Sequence, residues 1–337
     1  MSLKQSKHSK RPCRPNPYVV TISSTGMEAL KREADVIIKL HYAPASAATR
    51  ACQLRKYMHF CEDFALVPIP CTSDRVVLFV AFMARTMKVS SIRDYLSGLN
   101  HYLKVVETAP INYANYRVHM ALEGIKRKLG TAVKRASPLL PQHLKAMLAM
   151  LNVSMGHVAF RASILTSFRG LLRKQNVTES EANLLRGDVT MTAWGMMLNI
   201  RHSKTIQHGD RILRIPVARL REPALCAVYW VERHFREVPG TPLSPAFLVA
   251  PGMPLTYAFY SGMLNYAVGR AGLDPSLYST HSLRRGGTSY LRSVGATIEE
   301  LKLRGDWKSD AVFLYIQQPL EQRIAFDLRV ALELDSV

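Results

Sequence analysis

Residues 280–291 read THSLRRGGTSYL, and residues 305–317, a little further on, read GDWKSDAVFLYIQ. His281 and Arg284 stand three apart, so on a helix they share one face. Both can donate hydrogen bonds to a single anion, and the planar fork of an arginine matches phosphate oxygens. Gly286 and Gly287 then remove side chains one turn on, where another backbone can come close. Trp307 and Tyr315 close the stretch. Taken alone, these residues read equally well as a solvated basic helix packed on an aromatic one. The rest of the chain has to decide.

The 337 residues suit two ordinary domains, and 48% hydrophobic residues are enough to bury a core. Lys and Arg number 45 against 25 Asp and Glu, a formal charge of +20 with a pI near 10.0. Such an excess speaks to partners, and nucleic acid comes first among polyanions. The excess is uneven: residues 1–137 hold 22 basic and 9 acidic side chains, the remainder 23 and 16. A cationic module joined to a nearly balanced one fits a DNA-gripping unit attached to a second domain. The five cysteines form no CxxC pair, so neither a zinc finger nor a disulfide framework is supported, and free thiols point to a reducing compartment. No apolar run is long enough to span a membrane, and none of the partners expected is a membrane.

Periodicity divides the chain as the charge does. Residues 1–24 read as a basic disordered arm, and residues 25–130 as a bundle of four or five helices without a strand. Ser46, Thr72-Ser73-Asp74 and Ser90-Ser91 are read as helix starts, and Gly130 as a helix end. Residues 131–139 (TAVKRASPL) read as a linker, and residues 140–337 as a second, mostly helical domain. Its clear strands are MTAWGMMLNIRH and DRILRIPV, expected to form one antiparallel pair across SKTIQHG. The fold class expected is therefore mainly α: a helical bundle, then a helical domain with a small antiparallel sheet.

Much chemistry is excluded. The chain has no H-E-x-x-H, no paired carboxylates at ligand spacing, no GxxxxGK[ST] loop and no GxSxG elbow, so no metal or other cofactor is expected. What remains is cationic and aromatic. Arg173 lies in FRGLLRKQNV near a helix end, with Arg169 and Lys174 close by, and Lys204 lies in the turn region SKTIQ.

In chain order, Arg173, Lys204, His281, Arg284, Trp307 and Tyr315 resemble the active site of the tyrosine recombinases. The HxxR box in THSLRRGG and a tyrosine eight residues after the tryptophan are the specific signals. FRGLLRKQNV, SKTIQ and WKSDAVFLYIQ look most like the recombinases of DIRS-type retrotransposons and Cryptons. The resemblance spans about residues 30–325. Two departures stand out: Trp307 occupies a place where many members have histidine, and Asn176 stands where an acidic residue is expected three positions after the first arginine.

The resemblance implies a site-specific recombinase of a mobile element that cleaves and rejoins DNA through a 3′-phosphotyrosine, without ATP or metal. It gives Tyr315 the role of nucleophile, Arg173 and Arg284 that of phosphate clamp, and Lys204 that of general acid. His281 and Trp307 add hydrogen bonds. Partners implied are double-stranded recombination sites and further copies of the chain, a tetramer on DNA held by the C-terminal amphipathic helix. A eukaryotic element would place it in the nucleus. Helices 46–65 and 89–106 are expected to meet DNA, with Thr49, Arg50, Lys88, Ser90 and Ser91, and with Lys126, Lys128, Lys134 and Arg135 on phosphates. Two alternatives stay open. One is a type IB topoisomerase-like enzyme, which relaxes supercoils without strand exchange; the other is a non-catalytic DNA-binding descendant of a recombinase.

Overall fold

Side-chain caps open two of the five helices in residues 27–129. The Thr72 hydroxyl accepts from the Arg75 backbone N–H at 3.3 Å, and the Asn115 side chain accepts from the N–H groups of Arg117 and Val118. These caps start α3 (Ser73–Met83) and α5 (Tyr116–Leu129), which follow α1 (Met27–Lys39) and α2 (Pro44–Asp63) and flank α4 (Val89–Val105). The computed structural model describes residues 27–132, 135–152, 154–206, 209–316 and 320–335. The expected arm (1–24) and Lys134 lie outside the described residues.

Two expected starts are displaced. α2 begins at Pro44 behind Ala43, not at Ser46, because proline at the first helical position needs no N–H partner. α4 begins behind Lys88 with Val89 already buried, so Ser90 and Ser91 sit inside its first turn. Gly130, at φ 69°, closes α5. The chain divides into two compact units, Met1–Val133 and Lys134–Val337. In the first, Tyr57, Phe60, Phe79, Met83, Ile92, Leu96, Leu99 and Leu103 are buried together, with Tyr57 edge-on to Phe79 at 5.2 Å. None of the residues of α1 is buried.

The second unit is organised around α7 (Met155–Gly170), which is buried on nearly every side. A helix so enclosed must satisfy its own hydroxyls: Ser163 donates to the Phe160 carbonyl at 2.8 Å and Thr166 to the Ala162 carbonyl at 2.7 Å. Packed around it are α6 (Pro141–Ala149), α8 (Ala227–Glu237), α9 (Tyr257–Arg270) and α10 (His281–Ser293), followed by α11 (Ile298–Gly305) and α12 (Leu320–Asp335).

The sheet departs from the expected pair. MTAWGMMLNIRH is not one strand: β1 (Val189–Thr192) and β2 (Gly195–Ile200) form a hairpin around Ala193 and Trp194, and β3 (Leu213–Ala218) completes an antiparallel β1-β2-β3 order. Leu198 faces Val189 on one side and Ile215 on the other. Met196, Leu198, Ile200, Ile215 and Val217 turn inward onto the core. A two-stranded β4 (Leu248–Ala250) and β5 (Met253–Pro254), not read from the sequence, lies apart from it. The fold is mainly helical with a small antiparallel sheet, as expected.

Candidate active site

The cluster is built on two helix ends. α7 is closed by Leu171 and α11 by Asp306, both in the left-handed conformation at φ 51° and 56°. The last carbonyls of a helix have no partner inside it and carry the negative end of its dipole. Here the guanidinium of Arg284 takes both: Nη1 donates to the Leu171 carbonyl and Nη2 to the Gly305 carbonyl. That accounts for a cation that is only 2% exposed.

α10 can lie this close because of its glycines. A Cβ at Gly286 would collide with the backbone of Leu139, and one at Gly287 with the carbonyl of Phe168. The paired glycines therefore serve close backbone approach, as their position suggested.

Arg284 lies 4.0 Å from the centre of the Trp307 ring and 5.5 Å from that of Tyr315, and the two rings are 5.0 Å apart. Ser289 of α10 donates to the Tyr315 carbonyl at 3.0 Å, fixing the backbone that carries the phenol. Tyr315 itself is half-buried at the end of a short 3-10 turn, Asp310–Leu314. Burial and the charge of Arg173, partly offset by Tyr315 and Asp306, pull the Arg284 guanidinium down to about 9. Its Nε is buried without a hydrogen-bond partner. A buried donor that lacks an acceptor, crowded by like charge, suits an anion arriving from outside.

His281 opens α10 at an exposed position. Desolvation, then the charges of Arg284, Lys174 and Arg173, hold its imidazole below the ordinary value, so it favours the neutral form. Arg173 stands three residues beyond the end of α7 rather than on it. Its backbone N–H donates to Asn176 Oδ1 at 3.2 Å, while Asn176 Nδ2 donates to the carbonyls of Ala182 and His202 at 3.1 and 3.0 Å. Asn176 is thus fully engaged in holding Arg173 against the β2–β3 connection, and an amide does here what a carboxylate could not, since it both accepts and donates. Lys204, on that connection, is exposed.

Arg173, Arg284, Asn176, Ser203, Gly305 and Asp306 line one narrow cleft. Arg284, Trp307 and Tyr315 are in direct contact, Arg173 and His281 are within electrostatic reach, and the Lys204 turn borders the same cleft. Asp306 is the residue missed from the sequence: it is only 8% exposed and bonded to the Lys204 turn. A carboxylate beside Trp307 had no local pattern to mark it.

The expected DNA contacts of the first unit fall into two patches. Arg50 stacks over the Tyr42 ring at 4.4 Å, and Tyr42 hydrogen-bonds His101 near the end of α4. α2 and α4 therefore run antiparallel, and Thr49 and Arg50 lie roughly 15 Å along the helix axis from Ser90 and Ser91. Lys88, at the start of α4, borders a hollow shared with Leu129 and Gly130, close to Lys126 and Lys128 in the last turn of α5. Lys126 is ion-paired with Glu123. Arg135 is exposed and belongs to the second unit.

A protein of Selenomonas ruminantium described as an integrase/recombinase XerD homologue is 24% identical over 246 residues, 70% of this chain and 70% of that protein. The Tn1549 transposon integrase in complex with transposon right-end DNA superposes with a TM-score of 0.64 at 15% identity, covering 89% of this chain and 98% of that one. The XerH site-specific recombinase bound to a palindromic difH substrate, a post-cleavage complex, gives a TM-score of 0.62 at 13% identity, with 84% and 79% covered. The chain shares the fold of these integrases and recombinases. No protein-family model matches it. Among the described residues, no helix is long and apolar enough to cross a membrane.

Proposed function

We propose that the chain is a site-specific DNA recombinase whose reaction runs through Tyr315. The observation that carries this reading is the packing of Tyr315 and Trp307 on the buried Arg284, whose Nε still lacks an acceptor. A scissile phosphodiester laid against this cluster meets fixed positive charge from Arg173 and Arg284 where negative charge builds on its non-bridging oxygens. The Tyr315 oxygen attacks phosphorus, the Tyr–O–P bond forms and the P–O5′ bond breaks. The phenolic proton passes to the neutral His281 imidazole, and the departing 5′-oxygen takes a proton from Lys204. The 3′-phosphotyrosine keeps the bond energy, so attack by a 5′-hydroxyl of a partner strand rejoins DNA with no need for ATP or metal.

Strand exchange needs further copies of the chain. α12 supplies a surface for them: Leu320, Ile324, Leu328 and Leu332 recur every four residues and are all exposed. A tetramer joined through α12 on two DNA sites is the assembly proposed. Removal of residues 321–334 is expected to spare binding to one site and abolish pairing of two; intact pairing sinks that assembly. The resemblance of FRGLLRKQNV, SKTIQ and WKSDAVFLYIQ to DIRS-type and Crypton recombinases makes a eukaryotic mobile element the proposed source, acting in the nucleus.

A pool of nicked, randomised duplexes tests the chemistry and finds the recognition sequence together. The chain and its Tyr315→Phe variant are incubated with the pool, and protein–DNA species that survive denaturation are collected and sequenced. An adduct lost in the variant supports strand cleavage and yields the site. Binding with no adduct from either protein supports a DNA-binding protein without catalysis.

A further inference from the structure

Asp306 joins the Lys204 turn to the Arg284–Trp307–Tyr315 cluster. Its Oδ2 accepts from the hydroxyls of Ser203 (3.1 Å) and Thr205, the two neighbours of Lys204. Its Oδ1 pairs with Arg211, at the far end of the same connection. On its other side, Asp306 follows Gly305, whose carbonyl holds Arg284, and precedes Trp307. One buried carboxylate thus gathers both limbs of the β2–β3 connection onto the backbone that supports the cluster.

Asp306 closes α11 in the left-handed conformation, which asparagine and aspartate tolerate better than most residues. Capping alone asks nothing of the carboxylate, and asparagine would serve it. Yet the carboxylate is only 8% exposed and has three side-chain partners, all from the Lys204 connection. Burial works against its charge, and the bonds from Thr205, Arg211 and Ser203 outweigh that and hold the carboxyl below its usual range. A buried, fully bonded anion fixes geometry more strictly than a helix cap requires.

We propose that Asp306 is a positioning residue for the leaving-group step: through Ser203 and Thr205 it sets the turn that presents Lys204 to the departing 5′-oxygen. The inference rests on the reading of Lys204 as general acid given above. It makes a selective demand. Asp306 matters when the leaving oxygen needs a proton, and matters little when it does not.

A bridging sulfur supplies that contrast. In a 5′-phosphorothiolate the P–S bond breaks to a thiolate, which departs without protonation because thiols are far more acidic than alcohols. The duplex recovered by trapping is made with oxygen or with sulfur at the scissile position, and single-turnover adduct formation is followed. Asp306→Asn, which keeps the left-handed cap and one acceptor oxygen, is expected to slow cleavage of the oxygen substrate between about 10- and 100-fold, within the range general acid catalysis contributes. The sulfur substrate should stay within about threefold of the parent chain. A Ser203→Ala/Thr205→Ala double variant leaves Asp306 and its cap in place, and should show the same contrast. Equal losses on both substrates, or no loss on oxygen in either variant, overturn the proposal. Lys204→Ala losing equally on both substrates overturns the reading of Lys204 beneath it. Recovery of no covalent adduct from the unaltered chain at the trapping stage overturns the recombinase reading itself.

Discussion

The guanidinium of Arg284 lies 4.0 Å from the centre of the Trp307 ring, face-on to a side chain that shields it from water. The contact gives the tryptophan a physical role here: the indole covers a buried cation and packs against Leu171, Leu301 and Val312. Trp307→Ala should destabilise the second unit by about 3–5 kcal/mol, as for other buried aromatic truncations. Trp307→Phe keeps a ring over the cation and should lose less. Thermal denaturation beside adduct formation checks both, and equal behaviour of the two variants would speak against a stacking role.

Close packing of α10 gives a sharper contrast. Gly286→Ala places a methyl group in the Leu139 backbone, which cannot yield as a side chain can, and should cost at least about 2–3 kcal/mol. Gly262, on α9, has nothing within 4 Å of the same added atom. Gly262→Ala should stabilise by about 0.5–1 kcal/mol, because glycine is the poorer helix former. Denaturant unfolding of the two variants should move in opposite directions.

These examples show what the sequence could reveal. His281, Arg284 and the glycines form a local pattern, so α10 and the close approach at its glycines were legible in the sequence. The acceptors of Arg284 were not: they are backbone carbonyls 113 and 21 residues away, which no spacing records. Asp306 was hidden for the same reason, with partners 95–103 residues distant. The β1–β2 hairpin escapes a sequence reading because its turn, Ala193-Trp194, lacks the Asn-Gly type of signal and the apolar alternation runs through it. Pro44 hid the start of α2 behind a more conventional serine.

Acid should weaken the second unit through His234. Its ring is fully buried, accepts from the Leu248 N–H at Nε2 and stacks on Phe247, so it is held neutral. Burial, with Arg186 nearby, lowers it from 6.5 to about 4. Between those values the unfolded chain binds a proton that the folded chain refuses, so stability is lost as pH falls from about 6.5 towards 4. At about 1.4 kcal/mol per unit the loss approaches roughly 3 kcal/mol. His234→Asn should flatten that part of the pH–stability curve, whatever it does to stability at neutral pH. An unchanged slope would assign the acid sensitivity elsewhere.

DNA binding should be steeply salt-dependent. With a formal charge of +20, the chain should lose about 10³-fold or more in affinity between 50 and 200 mM salt. Lys88→Ala and Lys128→Ala, in the same patch, should each shallow the log–log slope by about one. A loss below about tenfold over that range would mean that few phosphates are contacted.

The most direct measurement identifies the linkage itself. The adduct recovered from DNA is trimmed with nuclease, digested with protease and read by mass spectrometry. The proposed chemistry requires one modified peptide, spanning Tyr315, with the nucleotide joined through its 3′-phosphate to the phenol. A nucleotide on any other residue, or a 5′-phosphate linkage, contradicts it.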